Sequence, residues 1–263
     1  MVAAVAGLLL LAGCGGGSAE TAPARDSLRS NETPVATGSS AGGSDTVAGA
    51  AVAPLAPGSS VDRRPVTGRP LRVVFFGTSL TAGLGLDDAA SEAWPAEIGR
   101  QAARAGAPIE VVNAGLSGET SAGAVRRIGW LLRDTADVVV VETGANDGLR
   151  GLPVAELEAN LRAIVAAVRR AQPQAVVVLV AMEAPPNIGG AYASAFRAVY
   201  GRVAASEGVV LTPFLLDGVA GVPSMNQPDG IHPTPAGAAR AARNVWPALA
   251  RAFAARRAGA PAL

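Results

Sequence analysis

The 263-residue chain has no lysine, one cysteine and one histidine. All basic side chains are therefore arginines, and no amine is present for Schiff-base or lysine-nucleophile chemistry. A single cysteine excludes an intramolecular disulfide and any multi-cysteine zinc or iron–sulfur site. A single histidine excludes two-histidine metal motifs of the HExxH kind. Charge is sparse as well: 16% of residues are charged, and 22 basic against 21 acidic residues leave a net +1. Such a balance provides no broad electrostatic footprint for nucleic acid. What is abundant is apolar residues, at 49%, enough for the core of one domain or two small ones. Histidine-dependent chemistry must run through His232, and thiol-dependent chemistry through Cys14.

The two ends of the chain differ. Val2 to Ala12 form an apolar run broken only by Gly7, too short to span a bilayer as a stable anchor. It ends in Leu11-Ala12-Gly13-Cys14, which resembles the lipobox of bacterial lipoproteins. That resemblance implies a signal peptide over residues 1–13, cleavage before Cys14, a lipid on its sulfur and residence in the cell envelope. Met1 to Gly7 lacks the basic residue usual at the start of such a signal. Gly, Ser, Ala, Thr and Pro then dominate up to Pro70, and all the aromatic residues lie beyond, from Phe75 onward. A stretch of this composition buries too little apolar surface to offset its ordering entropy, so residues 14–70 read as a flexible tether. The folded domain is expected over 71–257, followed by a tail at 258–263.

From Leu71 the pattern becomes apolar strands alternating with amphipathic or Ala-rich helices. Residues 71–76, 109–112, 138–142, 175–182 and 209–211 read as strands, rich in β-branched or aromatic residues and bounded by Gly, Pro or Asn. Helices are expected near 93–105, 121–132, 154–171, 191–207 and 235–257, with Pro247 suggesting a kink or break in the last. Strands that are apolar without alternation are buried on both faces. The expected fold is α/β, with three α/β/α layers around a parallel sheet of about five strands. Ligands of such sheets bind beyond the carboxyl ends of the strands, so those loops carry the chemistry.

After the first strand comes Gly77-Thr78-Ser79-Leu80, and after the second comes Asn113 to Thr120, with Gly118 inside it. Thr143 to Gly151, containing Asn146, follows the third strand, and Asp229-Gly230-Ile231-His232-Pro233 precedes the last helix. Each segment alone has an ordinary structural reading: a helix N-cap or phosphate loop, a turn, a capped turn. Together they match acyl transfer to a serine followed by hydrolysis. Ser79 is the candidate nucleophile, His232 the only base available to it, and Asp229 the group that can curl back to hold the imidazole. Backbone N–H groups of Ser79 and Gly118 and the side-chain amide of Asn146 are the natural oxyanion donors. An imidazole must be neutral to act as a base, so activity is expected to rise with pH as it loses its proton.

In this order the four segments resemble the blocks of the SGNH (GDSL-type) hydrolases, closest to their bacterial thioesterase/lysophospholipase and arylesterase branch. Ala93-Trp94-Pro95 and Pro213-Phe214 add to the likeness, which spans about Leu71 to Ala250. The resemblance implies a flavodoxin-like sheet, no metal or other cofactor, and hydrolysis of carboxylic esters or thioesters. Thr78 stands where the family usually has Asp, a change expected to loosen the Ser79 loop or shift the pH profile without removing a catalytic group.

Apolar loop residues are expected to receive an acyl chain: Leu84, Leu86, Leu149, Leu152, and Ile188 in the 184–189 loop. Few aromatics lie in these loops, which favours a small ester over a stacked nucleobase or a long sugar; the expected substrate is a small acyl ester or a lysolipid, and the protein is expected to be a monomer. Two other functions compete: O-deacetylation of a carbohydrate or cell-wall glycan, and a non-catalytic surface lipoprotein that keeps the fold for binding.

Overall fold

The computed structural model describes residues 68–259. The expected signal peptide, Cys14 and nearly all of the expected tether lie outside the described residues, as do the last four residues of the expected tail.

Five parallel strands form one sheet: β1 (Leu71–Gly77), β2 (Ile109–Gly115), β3 (Val138–Val141), β4 (Val176–Ala181) and β5 (Val210–Phe214), in the order β2-β1-β3-β4-β5. The expected three-layer, flavodoxin-like architecture is the one observed. Among the described residues, eight α-helices interleave with the strands: α1 (Ser79–Ala82), α2 (Ala89–Glu92), α3 (Trp94–Arg104), α4 (Ser121–Leu131), α5 (Ala145–Leu149), α6 (Val154–Ala171), α7 (Gly190–Glu207) and α8 (Pro235–Ala258). The one-turn helices α1, α2 and α5 fall in segments that the sequence pattern presents only as loops. They are too short to display a hydrophobic period.

Burial follows strand position. The central strands β1, β3 and β4 are almost wholly buried, and the edge strands β2 and β5 are half-buried. Successive residues of β1 serve opposite faces, as the pleat requires. Phe75 meets Trp94 of α3 edge-on at 5.1 Å, whereas Phe76 lies under the guanidinium of Arg127 of α4 at 4.5 Å. Helices α3 and α8 pack together on one side, and α4, α6 and α7 form the other layer. In α6 the buried positions Leu157, Leu161, Ile164, Val165 and Val168 keep the spacing of one helical face.

Helix α8 differs from expectation at Pro247, through which it continues as one element. Proline removes the hydrogen bond to the carbonyl four residues earlier, that of Arg243. Both Pro247 and Arg243 are solvent-exposed, so water can serve that carbonyl, while Val245, Ala248, Leu249 and Phe253 stay buried on the other flank. No helix among the described residues is long and apolar enough to cross a membrane.

Candidate active site

The order in which strands are added reverses at β1 and β3: the chain passes from β1 outward to β2, then returns to β3, which starts the other half of the sheet. That switch point opens a crevice at the carboxyl ends of the strands. All the polar site residues expected from the sequence lie around it.

Thr78, just beyond β1, is the N-cap of α1, its hydroxyl accepting from Leu80 N–H at 3.4 Å. Ser79 is the first residue of that turn, where backbone N–H groups have no helical acceptor. The turn sits very close to β3: a Cβ at Gly77 would collide with Thr81 Oγ1 and Glu142 Oε2. Glu142, wholly buried just past β3, accepts from Thr78 N–H at 2.9 Å, from the Thr78 hydroxyl at 3.0 Å and from the Thr81 hydroxyl at 2.9 Å. Burial outweighs these donors and pushes the Glu142 carboxyl up to about 7. Thr78 ties the nucleophile turn to Glu142. It is buried and bonded through both its groups, and an Asp there would set a second carboxylate against Glu142.

The loop before α8 carries the base. Asp229 Oδ1 accepts from Ile231 N–H at 2.9 Å and His232 N–H at 3.0 Å, folding the carboxylate back over the loop. Its Oδ2 then meets His232 Nδ1 at 2.6 Å, and His232 Nε2 lies 2.9 Å from Ser79 Oγ, 153 residues away in sequence. The bond to the imidazole, with those from the two backbone N–H groups, lowers the Asp229 carboxyl to about 2. It stays ionised across neutral pH. Gln227 ties the two loops together, its side-chain amide donating to Leu84 O at 2.8 Å and Pro233 O at 2.9 Å.

Beyond β2, Glu119 N–H donates to Leu116 O at 3.3 Å, closing a turn whose third residue is Gly118. Its φ of 77° is the left-handed value that this turn position demands and glycine supplies. Asn146, expected in a loop, belongs to α5, and its amide donates to Glu119 O at 3.0 Å. Its neighbour Asp147, buried, accepts from Ser121 N–H at 2.8 Å and the Ser121 hydroxyl at 2.5 Å. Asp147 thereby fixes the Gly118 loop against the Asn146 helix.

Ser79, Gly118, Asn146 and His232 line one cavity of about 590 Å³ with mainly apolar walls. Leu84 and Leu149 belong to it as expected; Leu86, Leu152 and Ile188 do not. Leu86 folds back over Gly83 of the nucleophile turn, and Leu152 caps the end of α5, its N–H on Asp147 O and its carbonyl under the Tyr192 hydroxyl. Ile188 closes a short 3₁₀ turn, Pro186–Ile188, whose other end, Pro186, faces the cavity. The walls are completed by Met182, Ala184, Phe214, Leu216 and Ile231. Most of these sit just past β4 and β5, where the carboxyl-end rule applies as well as it does to the polar loops.

A parallel α/β sheet that presents a Ser–His–Asp relay beside amide donors at its carboxyl edge defines a serine hydrolase. Comparison with known proteins assigns the family. Residues 75–240 match the GDSL-like Lipase/Acylhydrolase family. Esterase TesA of Pseudomonas aeruginosa is 47% identical over 178 residues, 67% of this chain and 87% of that protein. Thioesterase 1/protease 1/lysophospholipase L1 of Escherichia coli K12 is 36% identical over 61% of this chain and 74% of that protein. A crystal structure of TesA superposes with a TM-score of 0.65 at 43% identity, covering 69% of this chain and 99% of the TesA chain. The chain belongs to the GDSL-like lipase/acylhydrolase family, and it is an esterase.

Proposed function

We propose that the protein hydrolyses carboxylic esters and thioesters of short to medium acyl chains through an acyl-enzyme on Ser79. The observation that carries this reading is His232, held between Asp229 Oδ2 at 2.6 Å and Ser79 Oγ at 2.9 Å at the wall of an apolar cavity. Ser79 Oγ bonds to the substrate carbonyl carbon as its proton passes to His232 Nε2. The carbonyl oxygen becomes an oxyanion facing Ser79 N–H, Gly118 N–H and the Asn146 amide. Collapse breaks the bond to the alcohol or thiol, which takes the proton from His232, and water repeats the cycle to release the acid. Asp229 holds the imidazole tautomer and stabilises the imidazolium. All five of these residues come from one chain, so a monomer suffices.

The relatives' names, esterase and thioesterase/lysophospholipase, support the substrate class. Apolar walls at Leu84, Leu149, Met182, Phe214 and Ile231 suit an acyl chain, and a 590 Å³ cavity holds more than an acetyl group. Octanoate should therefore exceed acetate in kcat/KM across p-nitrophenyl esters. A fluorophosphonate probe should label the wild type and not Ser79→Ala. Equal labelling of both proteins would overturn the reading.

We also propose export as a cell-envelope lipoprotein, resting on Leu11-Ala12-Gly13-Cys14 after the apolar run. Residues 1–13 are then removed and Cys14 carries the lipid. Cys14→Ala should leave the membrane fraction and lose processing; a variant processed and retained like the parent would reject the anchor.

A further inference from the structure

The oxyanion donor Asn146 sits on a helix too short to hold itself in place. Helix α5 has five residues, and a single turn is unfavourable alone because nucleation fixes several dihedrals for each hydrogen bond gained. Its direction is therefore set by what it packs against. Aim matters here: the Asn146 amide has two N–H bonds, and one is given to Glu119 O at 3.0 Å. Only the other is left for the oxyanion, so a tilt of α5 turns the remaining donor off its target.

One side of α5 is fixed by Asp147, which accepts from Ser121. Another side meets α7. Tyr192, Phe196 and Tyr200 recur every four residues along that helix and form a row on one face, with ring centroids 6.0 and 5.8 Å apart. Phe196 and Tyr200 are buried and Tyr192 is half-buried. Each ring meets a different part of the α5 segment. The Tyr200 hydroxyl donates to Thr143 O at 2.9 Å, at the peptide that leads into the helix. The chain passes so near it that a Cβ on Gly144, the N-cap, would collide with the Tyr200 oxygen. Midway, a Cβ on Gly148 would lie 3.2 Å from Phe196 Cζ. Beyond the helix, the Tyr192 hydroxyl donates to Leu152 O at 2.7 Å. Burial, and then the nearby carboxyl groups of Glu142 and Asp147, raise the Tyr200 phenol well above its ordinary 10, so it keeps the proton it donates. Neither tyrosine is among the residues lining the cavity, so both act through α5.

We propose that Tyr200, with Tyr192 as a second hold, is a positioning residue for the oxyanion: its hydroxyl fixes the start of α5 and thereby the aim of the Asn146 amide. The proposal rests on the acyl-enzyme reading above, with Asn146 as an oxyanion donor. A donor displaced by a fraction of an ångström still admits the ground-state carbonyl but serves the oxyanion less well. The loss therefore falls on kcat rather than KM.

Double-mutant cycles on p-nitrophenyl octanoate test it in the full chain, with kcat counted per site labelled to completion by a fluorophosphonate, so that only folded enzyme enters. Asn146→Ala should lower kcat by on the order of 10²–10³. Tyr200→Phe, which keeps the ring and removes the hydroxyl, should lower kcat about tenfold with KM within about twofold. In the Asn146→Ala background the same change should do almost nothing, because the group it aims is gone. A role confined to stability would instead move the urea midpoint and leave kcat per site alone. A wild-type kcat in Tyr200→Phe overturns the proposal, and so does a fall that persists in the Asn146→Ala background. Tyr192→Phe, at a half-buried position, should lower kcat less, about threefold. If Tyr200→Phe does not fold, the Tyr192→Phe cycle decides by the same two criteria. Failure of the underlying reading looks different: Ser79→Ala would stay active, or Asn146→Ala would turn over like the wild type.

Discussion

Strand β3 is bracketed by two buried carboxylates, Asp137 before it and Glu142 after it, and they are satisfied in opposite ways. Asp137, at the amino edge of the sheet, is gripped by Arg69 at 2.7 Å and Arg256 at 3.1 Å and accepts from Arg72 N–H at 2.9 Å. Glu142, at the carboxyl edge, meets neutral donors, the backbone and hydroxyl groups of Thr78 and Thr81. The first closes the domain by joining its first strands to its last helix. The second leaves a carboxyl group poised near neutrality directly behind the nucleophile turn. Four residues of strand thus separate an edge built for holding from an edge built for chemistry.

Substitutions at the two edges should fall on different observables. Asp229→Asn, at the carboxyl edge, should lower kcat by on the order of 10⁴ by freeing the imidazole tautomer. Its exposed loop leaves the urea midpoint nearly unmoved. Asp137→Ala is the mirror image. It removes the buried carboxylate that Arg69 and Arg256 share and should cost about 3–5 kcal/mol in urea unfolding, with kcat of the folded fraction unchanged. A wild-type kcat in the first variant, or an unaltered midpoint in the second, would break the division.

Glu142 sharpens the contrast through pH. Its carboxyl is raised from the ordinary 4.5 to about 7, so between those values the folded chain keeps a proton that the unfolded chain has released. Stability from this group is whole below about pH 4.5 and is lost as pH rises to about 7, a decline of about 3 kcal/mol. Urea midpoints of Glu142→Gln should lack that slope; a parallel slope in both proteins would assign it elsewhere. The smallest effect expected is that of Thr78→Val, which removes one hydroxyl from Glu142 and the cap of α1, at about 1 kcal/mol.

The reactive groups are legible in the sequence because each sits in a short segment directly after a strand. Within it, residue type and spacing limit the choice: Asp229 and His232 are three apart, and His232 is the only imidazole. The groups that hold them are not legible in that way. Glu142 reads as the end of a strand, Asp147 as part of a turn and Gln227 as an ordinary loop residue. Their partners Thr81, Ser121 and Leu84 are brought to them only by sheet order. The apolar wall shows the same limit. Leu84 and Leu149 face the cavity while Leu86 and Leu152, two and three residues on, turn away, because loop backbones have no fixed period from which to read a side chain's direction. Met182 and Phe214 follow from strand ends, which do.

The clasp of Arg69 and Arg256 on Asp137 also has a mechanical meaning. The described chain begins at Gly68 and enters β1 at Leu71, the edge opposite Ser79, roughly 20 Å away along the seven residues of the strand. A force applied at Gly68 would load β1 in shear against β2 and β3 and meet the clasp first. The cavity lies at the other, carboxyl edge of the sheet, so the clasp bears such a load a strand's length away from Ser79.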